Sequence, residues 1–316
     1  MGIKIILLII FFAVMAAVGI YSRRHVTSVD GFVLGGRSVG PWLTAFAYGT
    51  SYFSAVVFVG YAGQFGWKYG SLLAWVVLGR RTKVMTQHLG SRTMPDFFGE
   101  RYKSKSLKIT ASVIVFVFLI PYTASVYNGL SRLFAMAFNI PYTWCVVTMA
   151  AFTALYVILG GYMATAINDF IQGIIMLIGI VAVIAAVLNG QGGFMNAIAE
   201  MAKIPSDVPL TQGQPGAFTS FFGPDPVNLL GVVLLTSLGT WGLPQMIGKF
   251  YAIKDEKSIS TGTIISTIFA IIISGGCYFL GGFGRLFDSP EIYDKAGGAV
   301  VYDSIIPHML SMLPDL

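Results

Sequence analysis

Two apolar stretches of this chain carry side-chain oxygen close to breaks in their own pattern. Residues 42–60 hold Thr50, Ser51 and Ser54 and are interrupted by Gly49-Thr50-Ser51. Residues 229–247 hold Ser237 and Thr240 and are interrupted by Gly239-Thr240-Trp241-Gly242-Leu243-Pro244. Gly and Pro open backbone groups in a helix that lipid cannot satisfy, so such breaks belong where the backbone lines a cavity or binds something. Freed carbonyls and hydroxyls are neutral oxygens, the ligands hard cations take. A proton-driven carrier usually needs a carboxylate or histidine deep in its bundle. The spacing puts no Asp, Glu or His near the middle of any span, and Asp169 only opens one at the inner face. That favours Na⁺ over H⁺ as coupling ion. The same hydroxyls serve equally well to bond neighbouring backbone and hold helices together. Two interrupted helices in corresponding positions of two repeats mark the binding site of a secondary transporter.

The elements that must position these groups follow from composition. The chain is 55% hydrophobic and 11% charged, against about 25% charged in a soluble domain. Apolar runs at 5–21, 42–60, 109–133, 142–159, 170–188, 229–247 and 262–280 are long enough to cross ~30 Å of hydrocarbon. An eighth, near 69–78, is short. The expected fold is therefore an all-α polytopic bundle, one transmembrane domain over 1–316. Of the 20 Lys and Arg, 14 fall in the loops that become cytoplasmic when the N-terminus is outside, as the positive-inside rule requires. This makes 22–40 and 79–108 cytoplasmic loops, and 189–228 and 281–316 external segments, provided 69–78 crosses. The location expected is the cell (plasma or inner) membrane, with the lipid bilayer as a partner.

Other classes are excluded by the same residues. The net charge of +6 comes from short loops between spans and signals no nucleic acid. His25, His88 and His308 lie far apart with no metal-ligand spacing, and there is no phosphate-binding glycine loop with its Lys and Ser/Thr. Neither an enzyme nor an ATP-driven pump is indicated. Arg23 and Arg24 follow the first apolar run without a small-residue cleavage site between, so it reads as an uncleaved anchor. Cys145 and Cys277 fall inside spans and read as small apolar residues rather than a disulfide.

The run Gly160-Gly161-Tyr162-Met163-Ala164-Thr165-Ala166-Ile167-Asn168-Asp169-Phe170-Ile171-Gln172 resembles the G-G-x-x-A-x-x-x-x-D-x-x-Q element of the sodium:solute symporters. Gly35-Gly36-Arg37-Ser38, Thr93-Met94-Pro95-Asp96-Phe97, and Gly242-Leu243-Pro244 followed by Lys249-Phe250 fit the same family in the same order. The resemblance implies two inverted repeats of five helices preceded by one extra helix, each repeat starting at a broken segment. It also implies Na⁺ between the first broken helix and a Ser/Thr-bearing helix further on, with the carbonyls of Thr50 and Phe53 facing the ion and Ser54 nearby. Tyr52-Phe53-Ser54-Ala55 is similar to the Tyr-x-Ser-Ala pattern of pantothenate-type carriers, where proline-type carriers have an Asp at the first position.

Against the family pattern, the chain stops at Leu316, before the span expected to donate the Ser/Thr half of the ion site, and so looks like a fragment. The third span, Ser71 to Leu78, is reduced to about 12 Å of helix. In the second broken helix, Thr236, Thr240 and Pro244 stand where proline carriers resemble W-x-x-x-Y-x-x-x-P, and Gln245 stands where the family often has His. Tyr52, Tyr127 and Trp241 remain as aromatic candidates, equally suited to packing or to the interfacial belt. The solute-side candidates are thus Tyr52, Tyr127, Thr240, Trp241, Pro244 and Gln245, for a small organic solute such as an amino acid or carboxylate vitamin. The alternative class is a transporter-like membrane sensor, which a long polar domain after Leu316 would indicate.

Overall fold

The computed structural model describes residues 2–52, 80–138, 140–220, 223–239, 242–293 and 302–313. Among these, four helical stretches are long and apolar enough to cross a membrane: Ile5–Ser22, Lys105–Ala135, Tyr142–Gly190 and Glu256–Phe287. The helices in chain order are α1 (Gly2–Ser22), α2 (Val29–Leu34), α3 (Pro41–Tyr52), α4 (Arg80–His88), α5 (Met94–Tyr102) and α6 (Lys105–Phe138). Then follow α7 (Tyr142–Gly190), α8 (Phe194–Lys203), α9 (Pro226–Gly239), α10 (Pro244–Ala252), α11 (Glu256–Gly282) and α12 (Tyr302–Ser311).

At about 1.5 Å per residue α7 would be roughly 74 Å long, more than twice the ~30 Å hydrocarbon core. It is two arms joined at Gly161, whose φ of 55° and ψ of −149° break the helix. A Cβ there would also stand 2.8 Å from the Phe32 carbonyl oxygen, so only glycine fits. The second arm starts at Tyr162, not at Phe170 as the hydropathy suggests, so the Gly-Gly element straddles the break, with Gly160 and Gly161 at the joint and Tyr162 to Gln172 in the arm.

The first expected break is not where the sequence reading puts it. α3 runs unbroken through Gly49, Thr50 and Ser51 to Tyr52. Gly49 serves close packing: a Cβ there would lie 2.5 Å from the Phe269 ring. Thr50 donates its hydroxyl to the Phe46 carbonyl one turn back, at 2.9 Å, which keeps its polar group inside the helix. Residues 53–79, with the short third span, lie outside the described residues. The second break is seen at Leu243, whose backbone is extended before α10 begins at Pro244; 240 and 241 lie outside the described residues. Proline suits that first helical position because its missing N–H would be unpaired there anyway.

α3 and α10 pack side by side and run antiparallel. Their near ends are clamped where the Val39 N–H donates to the Ala252 carbonyl at 3.3 Å and the Lys254 N–H donates to the Val39 carbonyl at 3.0 Å. α3 leaves this clamp as α10 arrives at it, the opposed orientation that inverted repeats demand. In lipid the helices gain little from leaving their solvent, so packing must hold them. Phe46 of α3 meets Phe170 of α7 at 4.8 Å and Phe269 of α11 at 5.1 Å between ring centroids. Ala45 and Tyr48 of α3 pack with Met246 and Phe250 of α10.

The segments expected as external loops contain folded caps. α8 buries Ala197 and Met201, and α12 buries Ile306 and Met309, in the cluster that contains Phe283 and Phe287 below α11. Cys145 and Cys277 are free and buried.

Candidate functional site

Three elements meet around one polar cluster. Asp169, two turns into the second arm of α7, lies with Oδ2 3.4 Å from Nζ of Lys249 on α10. Thr50 of α3 stands beside the Asp169 carboxylate, with its hydroxyl given to the Phe46 carbonyl at 2.9 Å. The Lys249 ammonium stands 5.3 Å over the ring of Tyr162, directly after the Gly161 break. Only 10% of the Lys249 side chain and 23% of that of Asp169 are exposed. Each charge alone would be costly at this depth, and each relieves the other.

One turn before Lys249, on the same face of α10, is Gln245. Its amide oxygen and nitrogen are buried without a partner among the described residues. Gln245 follows the Pro244 that opens α10, so both sit at the break. Asn168, beside Asp169, is likewise buried with both amide atoms unpartnered among the described residues. Buried amides of this kind are the donors and acceptors that a polar solute or water would satisfy.

Of the residues singled out in the sequence, Thr50, Pro244 and Gln245 are placed around this cluster. Tyr127 is half-buried on α6 near Tyr156 of α7, and among the described residues it makes no hydrogen bond or ring contact with the cluster. Tyr52 ends the described part of α3. Phe53, Ser54, Thr240 and Trp241 lie outside the described residues. The sequence reading missed the Asp169–Lys249 pair, although both residues stand in the motifs it used. The signal was available: a lysine and a carboxylate in apolar surroundings each need a partner. Because α7's second arm begins at Tyr162, Asp169 is not at a span's edge, and the absence of a carboxylate no longer argues against proton coupling.

A second polar layer lies beneath the clamp. The Arg37 guanidinium donates to the Ser91 carbonyl at 2.7 Å, and Arg92 pairs with Asp30 at 2.6 Å. Lys83 on α4 is fully buried, and its ammonium has no partner among the described residues. Burial, reinforced by the nearby Arg37 charge and opposed by Asp255, brings Lys83 down to about 8.

A polytopic helical bundle with a backbone break set beside a buried ion pair has the architecture of a membrane-transporter fold. Comparison with known proteins agrees. A family model, "Sodium:solute symporter family", matches residues 32–305. The chain is 31% identical over 329 residues to sodium/proline symporter 2 of Staphylococcus saprophyticus, covering 96% of this chain and 61% of that protein. It is 31% identical over 274 residues to a sodium/proline symporter of Staphylococcus aureus, covering 80% of this chain and 51% of that protein. A solved structure, the substrate-bound outward-open state of a Na⁺-coupled sialic acid symporter, superposes with a TM-score of 0.73 at 18% identity, covering 96% of this chain and 64% of that one. The chain belongs to the sodium:solute symporter family, a family of transporters rather than enzymes. It spans about half to three-fifths of the length of these curated relatives.

Proposed function

We propose that these 316 residues form part of a Na⁺-coupled symporter that carries a small organic solute, such as an amino acid or carboxylate vitamin, by alternating access. The observation that carries the reading is the extended backbone at Leu243, which opens α10 less than two turns before Lys249 of the Asp169–Lys249 pair. Family membership supports Na⁺ as the coupling ion. On the ion side, the carbonyls of Thr50 and Phe53 and the hydroxyl of Ser54 supply neutral oxygens of the kind Na⁺ takes. On the solute side stand Tyr52, Tyr127, Thr240, Trp241, Pro244 and Gln245. The N-terminus of α10 points its helix dipole at the break, which favours an anionic group such as a solute carboxylate. The free amide of Gln245 can then bond that group or its neighbour. α3 and α10, opposed and clamped at Val39, offer a pivot for rocking one repeat against the other. The carrier sits in the cell (inner) membrane with its N-terminus outside, as the basic-residue bias indicates.

The test is uptake into proteoliposomes by the full-length gene product carrying these residues, against a panel that includes proline, pantothenate and sialic acid. An inward Na⁺ gradient should drive accumulation of one solute class. Accumulation driven by a proton gradient and indifferent to Na⁺ would overturn the reading.

A further inference from the structure

We infer that the crook of the α5–α6 hairpin is a binding site for an anionic phospholipid. The groove there has a volume of about 610 Å³, within the roughly 300–1,000 Å³ typical of small-molecule sites. Its rim carries Lys103, Lys105 and Lys108, against one acidic residue, Glu100. Lys108 is engaged by Asp96 at 2.5 Å, which ties α6 back to α5. Lys103 and Lys105 are exposed and have no ion-pair partner among the described residues. Two ammonium groups are therefore left facing the groove mouth, where they can take the two oxygens of a phosphodiester.

The floor of the groove tells a lipid from a free anion. It is built from Ile109 and Val113, one turn apart on α6, and these are 54% and 56% exposed. Phe116, 70% exposed, continues the same face into the apolar span. The cations thus stand where α6 enters hydrocarbon, and the apolar stripe runs from them into the membrane. A phospholipid places its phosphate and its acyl chain in that order, and a free phosphate would leave the stripe unused. The basic-residue bias assigns this end of α6 to the cytoplasmic leaflet, where anionic lipid is attracted by juxtamembrane lysines.

The test compares phosphatidylglycerol with phosphatidylcholine of the same acyl chains, each titrated onto the purified chain in neutral detergent, with bound lipid read by native mass spectrometry. Each juxtamembrane lysine is worth about five-fold in attraction to anionic lipid, so the pair gives roughly 30-fold preference for phosphatidylglycerol. Lys103→Gln with Lys105→Gln should bring the two lipids near parity. Lys103→Arg with Lys105→Arg should keep the preference, which separates loss of charge from misfolding, and Lys257→Gln on another loop should leave it unchanged. Equal retention of both lipids by the unmodified chain, or an unaltered preference in the double Gln variant, would overturn the inference. Full displacement of the lipid by excess inorganic phosphate would also overturn it, in favour of a free-anion site.

Discussion

Replacing Asp169 by Asn should destabilise the bundle more than its partial exposure suggests. Oδ2 lies 3.4 Å from the Lys249 ammonium, an attraction of about 5 kcal/mol at an effective dielectric constant of about 20. Desolvation offsets much of this in the intact pair, so the pair itself contributes little net stability. The variant keeps the cost and loses the attraction, because among the described residues Lys249 would retain the Tyr162 ring at 5.3 Å. Breaking a buried pair from one side costs about 3–5 kcal/mol. Lys249→Gln should cost a similar amount by stranding the Asp169 carboxylate. Removing both charges together should cost less than the sum, with a coupling of about 2 kcal/mol or more. The assay is chemical unfolding of the four forms in one detergent, read by tryptophan fluorescence, as a double-mutant cycle. Additive single costs, or a silent Asp169→Asn, would show that the two charges do not depend on each other and would remove the pair from the site.

Other outcomes follow from the same structure. Lys83 titrates near 8 when folded and near 10.5 when unfolded, so burial costs stability below pH 8 and the cost fades as pH rises through 8 toward 10.5. Lys83→Met should therefore stabilise by about 3 kcal/mol at pH 7 and by almost nothing above pH 10.5, checked by unfolding at both pH values; equal gains at both would refute the titration. Cysteines placed at the exposed Gln87 and Gln212 should react with an impermeant reagent from opposite sides, read cleanly because Cys145 and Cys277 are buried; same-side labelling would overturn the topology. In uptake by the full-length protein, Ser54→Ala should raise the Na⁺ requirement roughly ten- to hundred-fold, from the loss of about 1–3 kcal/mol for one ligand, while Ser112→Ala on α6 should not. Tyr52→Ala should mainly weaken solute affinity, and a larger effect on Na⁺ would exchange the roles of the two faces.

Hydropathy alone located α1, α6, both arms of α7 and α11, because each must hide some 20 residues of backbone in lipid. The Gly160-Gly161 pair marked the turn between the arms, and Pro244 marked the second break, each by a conformation or a missing donor that only that residue type supplies. Gly49 looked alike in sequence but does the opposite, admitting the Phe269 ring to an unbroken helix. No local pattern distinguishes a glycine that breaks from one that packs; the partner 220 positions away decides. The Asp169–Lys249 pair was hidden for the same reason, since its members meet only once α7 and α10 are side by side. The start of α7's second arm was misjudged because Asn168 and Asp169 depress hydropathy without ending the helix. The polar runs at 189–228 and 281–316 concealed α8 and α12, short helices whose apolar faces find the bundle's end.

The most direct test of Na⁺-coupled symport is the linkage between ion and solute in the full-length protein. Solute affinity is measured at rising Na⁺, and Na⁺ affinity at rising solute, by equilibrium binding in nanodiscs with K⁺ as the balancing ion. A symporter that binds both at one centre should show each ligand tightening the other by the same factor, as reciprocity of coupling requires. Solute affinity identical in Na⁺ and K⁺ would contradict the coupling and with it the assignment of the cluster between α3, α7 and α10.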